Sequence, residues 1–319
     1  MIYLLLILGF ILLIKGADLF VSGSSGLAKF FKIPPIIIGL TIVAFGTSAP
    51  EAAVSISAAI KGSESISVGN IVGSNLINIS LIIGITACIF PLKVERATIR
   101  KEIPLALLGS IALLILILDK SLQNSLVSSL SRADGLILLS FFSVFLYYII
   151  EVALKSQNNG HYLLNETHSI NIKKATIQTI LGLGGIILGG WLVVENAKSI
   201  ALSLGMSETL VGLTIVAIGT SLPEMVTAIT AALKKESEIA LGNIIGSNIF
   251  NILFVLGISA TITELVVESK ILFDVLLMIG LTLLLLIFST THQRKINRTE
   301  GLLLSIVYVA YIIFIIIRN

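Results

Sequence analysis

The 319-residue sequence has one cysteine, three histidines and one tryptophan, and only 12% of its residues are charged. The cysteine, Cys88, cannot close an internal disulfide. It lies in an apolar run without metal-ligand spacing around it, and reads as a packing residue. Soluble globular chains carry about 25% charged residues. The shortfall excludes a soluble enzyme and a disordered chain. The formal charge of +3 is small and spread out, so no nucleic-acid partner is expected. His161, His168 and His292 fall in loops or at segment ends. No HExxH, Ser/His pair or GxGD-type aspartate pair occurs inside an apolar run, so intramembrane hydrolysis is not indicated and no cofactor is called for.

Apolar residues fill the space: 56% of the chain is hydrophobic and the mean hydropathy is +1.06. Ten segments recur, at about 2–22, 33–60, 66–90, 102–119, 132–152, 175–197, 209–233, 238–262, 269–290 and 299–318. Unpaired backbone is too costly in lipid, so these are expected to be helices of an all-α polytopic membrane protein. The first run has no basic residue before it and no cleavage site after it, and is expected to remain as a span rather than act as a signal peptide. Lys and Arg distribute 14 to one side and 6 to the other, with Lys15 inside span 1. The richer side is expected to be cytoplasmic. Both termini then face out, and the polar stretch 153–174 forms a cytoplasmic linker.

Residues 40–85 and 213–258 align without a gap at an offset of 173, with about 25 of 46 positions identical. The offset extends upstream, where Gly9, Gly16 and Gly39 pair with Gly182, Gly189 and Gly212. The copies are five spans apart, an odd number, so they enter the bilayer from opposite sides. This predicts ten transmembrane helices as two inverted five-helix repeats, 1–152 and 175–319, a plan of secondary transporters.

Each copy carries a proline in mid-span, in Gly46-Thr47-Ser48-Ala49-Pro50-Glu51 and Gly219-Thr220-Ser221-Leu222-Pro223-Glu224. Proline should break each helix and free carbonyls around Ala44 to Gly46 and Ala217 to Gly219. The next spans add Asn70, Ser74, Asn75 and Asn78, mirrored by Asn243, Ser247, Asn248 and Asn251. Carboxylate, hydroxyl, amide and carbonyl oxygens are hard donors suited to Ca²⁺ or Na⁺, and no histidine contributes to favour zinc, copper or iron. A carboxylate at bilayer mid-depth costs about 2.5–3.5 kcal/mol. Two of them about 6 Å apart repel by roughly 3 kcal/mol at an effective dielectric of 20. Bound cations, or a proton in their absence, offset both costs. Plainer readings hold elsewhere. Gly69 to Gly73 and Gly242 to Gly246 read as helix packing, Ser55, Ser57 and Ser110 as bonded back to their own helices, and Lys15–Asp18 and Glu195–Lys198 as local ion pairs.

The paired motifs GTSAPE…GNIVGSNLIN and GTSLPE…GNIIGSNIFN resemble the alpha-repeats of the cation/calcium antiporter superfamily, above all its prokaryotic sodium/calcium exchangers. The resemblance covers essentially the whole chain. It implies a core of spans 2, 3, 7 and 8 around four cation positions, with spans 1 and 6 sliding to alternate access. It implies a central Ca²⁺ site of Glu51, Glu224, Thr47 and Thr220. One flanking Na⁺ site would use the Ala217 carbonyl, Thr220, Ser221, Ser74 and Glu51. The other would use the Ala44 carbonyl, Thr47, Ser48, Ser247 and Glu224. Asn78 and Asn251 would frame a middle position with the two glutamates. Some relatives carry Asp where this chain has Asn251, including the potassium-dependent branch, which argues against K⁺ co-transport here. The expected activity is electrogenic exchange of Na⁺ for Ca²⁺ across the cell membrane by a monomer, with H⁺/Ca²⁺ antiport at the same site as the alternative. The proton-driven pattern GNxxE is absent.

Overall fold

A computed structural model of the protein describes residues 2–119, 127–159, 171–204 and 217–318. All ten expected segments contain helix. Span 1 is Ile2–Phe31, span 2 is the pair Pro35–Thr47 and Ala49–Ile60 bent by 50°, and span 3 is Glu64–Ile89. Span 4 joins a π-helical turn, Thr98–Glu102, to Ile103–Leu116. Spans 5 and 6 are Arg132–Asn159 and Ile172–Ser203. Span 7 is described as Ala217–Thr220 and Leu222–Leu233, while its expected start at 209–216, with Gly212, lies outside the described residues. Spans 8, 9 and 10 are Ser237–Ile262, Ser269–Thr290 and Arg298–Arg318. Among the described residues, seven helices are long and apolar enough to cross a membrane, or eight with the bent pair counted as one span. The protein is an all-α polytopic membrane protein.

Several helices outrun their apolar cores. Span 1 reaches Phe31, and span 5 continues to Asn159 into the expected linker. Span 6 begins after Asn171, whose side chain accepts the Lys174 N–H at 3.2 Å as an N-cap. Residues 160–170, with His161 and His168, lie outside the described residues. Spans 3 and 8 are the most enclosed, 78% and 94% buried over their apolar windows, against 33% and 39% for spans 1 and 6. The motif-bearing helices are therefore core. Tyr3, Leu4, Ile14, Leu181 and Trp191 leave an apolar exterior suited to lipid on spans 1 and 6.

The chain forms two compact units, 1–50 with 149–243, and 51–148 with 244–319. In the first, spans 1 and 6 cross antiparallel at glycines. A Cβ on Gly9 would lie 3.0 Å from the Gly189 carbonyl oxygen, and one on Gly16 2.9 Å from that of Gly182. Reciprocally, a Cβ on Gly182 would lie 2.8 Å from the Gly16 oxygen, and one on Gly189 2.8 Å from the Gly9 oxygen. No side chain fits at those separations. Because Gly9 corresponds to Gly182 and Gly16 to Gly189, exchanging the copies turns each contact into the other. That is the signature of an internal two-fold.

The second unit repeats this logic twice. Gly84 of span 3 meets Gly301 of span 10, and Gly257 of span 8 meets Gly135 of span 5, with Cβ-to-carbonyl approaches of 2.7 Å at Gly84, Gly301 and Gly135. The strands β1 (Leu92–Lys93), β2 (Ser129–Leu130), β3 (Leu265–Val266) and β4 (Lys295–Ile296) pair antiparallel as β1 with β4 and β2 with β3. β1 and β3 stand 173 residues apart, so each copy's short strand pairs with a strand from the other half.

Two local expectations fail. Asp18 pairs not with Lys15 but with Lys234, whose Nζ lies 2.8 Å from Asp18 Oδ1 and also donates to Ser22 Oγ at 2.5 Å. Lys234 begins the turn after span 7, and in that turn Glu236 accepts the Ser25 hydroxyl at 2.6 Å. The long span 1 thus finds its polar partners across the unit, 211 and 216 residues away in sequence. Among the described residues no ion pair joins Glu195 to Lys198.

Candidate cation-binding site

The functional residues can be built within each unit. In the first, both motif copies break at the serine two residues before the proline. Ser48 has φ −82° and ψ 6°, and Ser221 has φ −88° and ψ 3°. Both lie in the sparsely populated bridge region. Pro223 falls in the first turn of Leu222–Leu233, where its missing N–H leaves no bond unmade. The break frees fewer carbonyls than expected. The Ala44 carbonyl keeps its helical bond, accepting the Ser48 N–H at 3.0 Å with Thr47 Oγ1 3.4 Å away, so a cation there would use its remaining lone-pair capacity. Ala217 contributes the first backbone position of Ala217–Thr220.

Glu224 is fully buried, and its Oε1 accepts the Ser48 hydroxyl at 2.8 Å. Its Oε2 is buried without a hydrogen-bond partner among the described residues. The backbone carbonyl of Glu224 accepts the Asn243 side-chain amide at 3.3 Å, and Asn243 Oδ1 accepts the Thr47 hydroxyl at 2.9 Å. Thr47, Ser48 and Ser221 are fully buried and Thr220 is 7% exposed. Three oxygen-bearing side chains from both repeats, Thr47, Ser48 and Asn243, therefore gather around the Glu224 carboxylate.

In the second unit, Glu51 is 1% exposed and its backbone carbonyl accepts the Asn70 amide at 3.3 Å. This is the Asn243–Glu224 bond again, 173 residues earlier. Asn70 also donates to Ser55 Oγ at 2.9 Å, so the Ser55 hydroxyl serves the glutamate's anchor, contrary to the back-bonded reading. Ser110 does bond back, to the Ala106 carbonyl at 3.0 Å. Ser74 donates to the Asn70 carbonyl at 2.8 Å, while Ser247 Oγ is buried without a partner among the described residues.

Asn78 and Asn251 are buried side by side with Asn75 and Asn248. Asn78 Nδ2 donates to Asn248 Oδ1 at 3.0 Å, and Asn251 Nδ2 donates to Asn75 Oδ1 at 3.1 Å. Asn75 Nδ2 reaches the Asn248 backbone carbonyl at 3.2 Å. Both helices are π-helical here, over Asn78–Ile82 and Phe250–Leu256, a form that recurs at functional sites.

Sequence reasoning counts Asn70, Asn243, Asn75 and Asn248 among the converging oxygen donors but gives none of them an individual role. Their duplication at the same offset was the available signal. The packing reading of the glycines is half right. Gly242 meets Gly39, with a Cβ on either falling 2.9 Å from the other's Cα, while Gly69 and Gly73 have nothing within 4 Å among the described residues. Among the described residues no three His, Cys, Asp or Glu side chains cluster. The donors are carboxylate, hydroxyl and amide oxygens, which select hard cations.

Inverted repeats with buried, duplicated oxygen donors define a secondary transporter of cations, not an enzyme. The comparisons agree. The family model described as sodium/calcium exchanger protein matches residues 1–151 and 174–317, and the chain belongs to that family. It is 40% identical over 312 residues to a putative antiporter, CaxA, of Alkalimonas amylolytica, covering 96% of this chain and 95% of that protein. It is 40% identical over 265 residues to the inner membrane protein YrbG of Escherichia coli (strain K12), covering 81% and 79%. A solved structure of the sodium-calcium exchanger NCX_Mj, soaked with Na⁺ and Sr²⁺, superposes with a TM-score of 0.83 at 33% identity, covering 98% of this chain and 99% of that one. The fold is thus the ten-helix inverted repeat, and the protein is a transmembrane cation exchanger of calcium and sodium transport.

Proposed function

We propose that the chain exchanges Na⁺ for Ca²⁺ by alternating access, with Na⁺ entry driving Ca²⁺ out. The observation that carries this reading is Glu224. It is a fully buried carboxylate with one oxygen held by Ser48 and the other without a donor among the described residues. Such an oxygen is costly unless a cation occupies it. Glu51 is its repeat mate, and the two glutamates with Thr47 and Thr220 are the proposed Ca²⁺ ligands. Ser48, Ser221, Ser74, Ser247 and the carbonyls of Ala44 and Ala217 are the proposed Na⁺ ligands, and Asn78 and Asn251 frame the middle position. With neutral Asn251, two carboxylates balance one Ca²⁺ or two Na⁺, a third Na⁺ would add one net positive charge, and nothing calls for K⁺.

The repeats proposed are 1–152 and 175–319, joined by a cytoplasmic linker, with both termini outside and the chain in the cell membrane. The basic-residue asymmetry and the similarity to an inner membrane protein support that placement. The test is ⁴⁵Ca²⁺ uptake into proteoliposomes under outward gradients of Na⁺, K⁺ or H⁺. Uptake driven by Na⁺ alone is expected. Uptake driven by H⁺ with Na⁺ absent would replace this reading with proton-coupled antiport.

A further inference from the structure

The four asparagines of the second unit are not equivalent. Asn78 and Asn251 each spend their Nδ2 on a partner from the other repeat, Asn248 and Asn75 respectively. Their Oδ1 atoms are buried and accept no hydrogen bond among the described residues. Asn75 and Asn248 instead use their Oδ1 atoms as acceptors, and Asn75 is fixed further by its bond to the Asn248 carbonyl. An asparagine amide has an oxygen end that attracts a cation and a nitrogen end that repels one. The two ends have the same shape, so packing alone does not choose between them. The hydrogen bonds set the same orientation in both repeats, and at Asn75 the bond to the Asn248 backbone carbonyl fixes which end of the amide faces Asn251.

We infer that Asn75 and Asn248 are positioning residues that fix the amides of Asn251 and Asn78 oxygen-first, so that both present acceptor oxygens to the transported cation. The inference rests on the ion-site reading of Asn78 and Asn251 given above. It also accounts for the pairing across repeats. Because each lock spans the two copies, the amides of one repeat are held by the other, and the orientation lasts only while spans 3 and 8 stay in register.

An aspartate has oxygen at both ends and needs no orienting. The test is therefore a double-mutant cycle, read as equilibrium ⁴⁵Ca²⁺ binding to the purified protein, which does not require turnover. Asn248→Leu removes the acceptor and frees the Asn78 amide to turn. Ca²⁺ should bind about tenfold more weakly, the loss of one hydrogen-bonded orientation. In an Asn78→Asp background the same Asn248→Leu change should cost nothing further. If Asn248 serves only packing, the loss will be equal in both backgrounds, and the inference is overturned. The mirror cycle, Asn75→Leu with and without Asn251→Asp, must give the same pattern, and it decides the matter should Asn248→Leu fail to fold. Glu224→Gln is measured alongside. Unaltered Ca²⁺ binding in that variant removes the site reading itself, whereas lost binding there with equal losses in the two cycles removes only the positioning role.

Discussion

The Ser48 hydroxyl donates to Glu224 Oε1 at 2.8 Å, joining the broken helix of the first repeat to the carboxylate of the second. The two residues are 176 apart in sequence. Both are fully buried. The bond engages one carboxylate oxygen and leaves the other without a donor among the described residues, the position the proposed cation would fill.

Ser48→Ala removes that donor without changing the fold of the break. It should weaken apparent Na⁺ affinity by about tenfold, because a hydrogen bond to a charged group contributes about 1.5–3 kcal/mol and Ser48 is also a proposed ligand. The maximal rate should fall less. The Na⁺ dependence of Ca²⁺ efflux from loaded vesicles measures this, and an unchanged half-saturating Na⁺ concentration would remove Ser48 from the site.

At the proposed site, protons and cations would compete for the same carboxylate oxygens. Acidification should therefore raise the Ca²⁺ concentration needed for half-maximal exchange and leave the maximal rate nearly constant. Initial rates across a Ca²⁺ series at several pH values provide the check. A fall in maximal rate at constant apparent affinity would place the proton's effect elsewhere in the cycle.

Much of this was legible beforehand, because the 173-residue offset is a statement about shape as well as descent. Pairs such as Gly9 with Gly182, read as matching positions, turn out to lie on two symmetric crossings. The duplicated prolines marked the break, and the glutamates after them are buried as expected. The misses share a cause. Spacing of three on a helix pairs Asp18 with Lys15, but a long span 1 puts Asp18 beside the turn after span 7. Ser55 was given to its own helix for the same local reason, and Asn70 claims it. The π-turns at Asn78 and Phe250 have no residue signature, so the amide network they accompany was not visible. Local spacing predicts local bonds, whereas side chains in a buried polar core are satisfied by whatever the fold brings near.

The orientation rests on 14 basic residues against 6. A cysteine introduced within 160–170, in a Cys88→Ser background, should react with an impermeant maleimide only in inverted vesicles. Labelling in intact cells would reverse the assigned topology and with it the direction of each access path.

The most direct test concerns the two carboxylates. Glu51→Gln and Glu224→Gln each keep the shape and remove one charge, so either protein should still fold, with a melting temperature near that of the unaltered chain. Na⁺-driven ⁴⁵Ca²⁺ uptake into proteoliposomes should fall to background in both, because a single carboxylate cannot balance a desolvated divalent ion. Uptake within twofold of the unaltered protein in either variant would contradict the account.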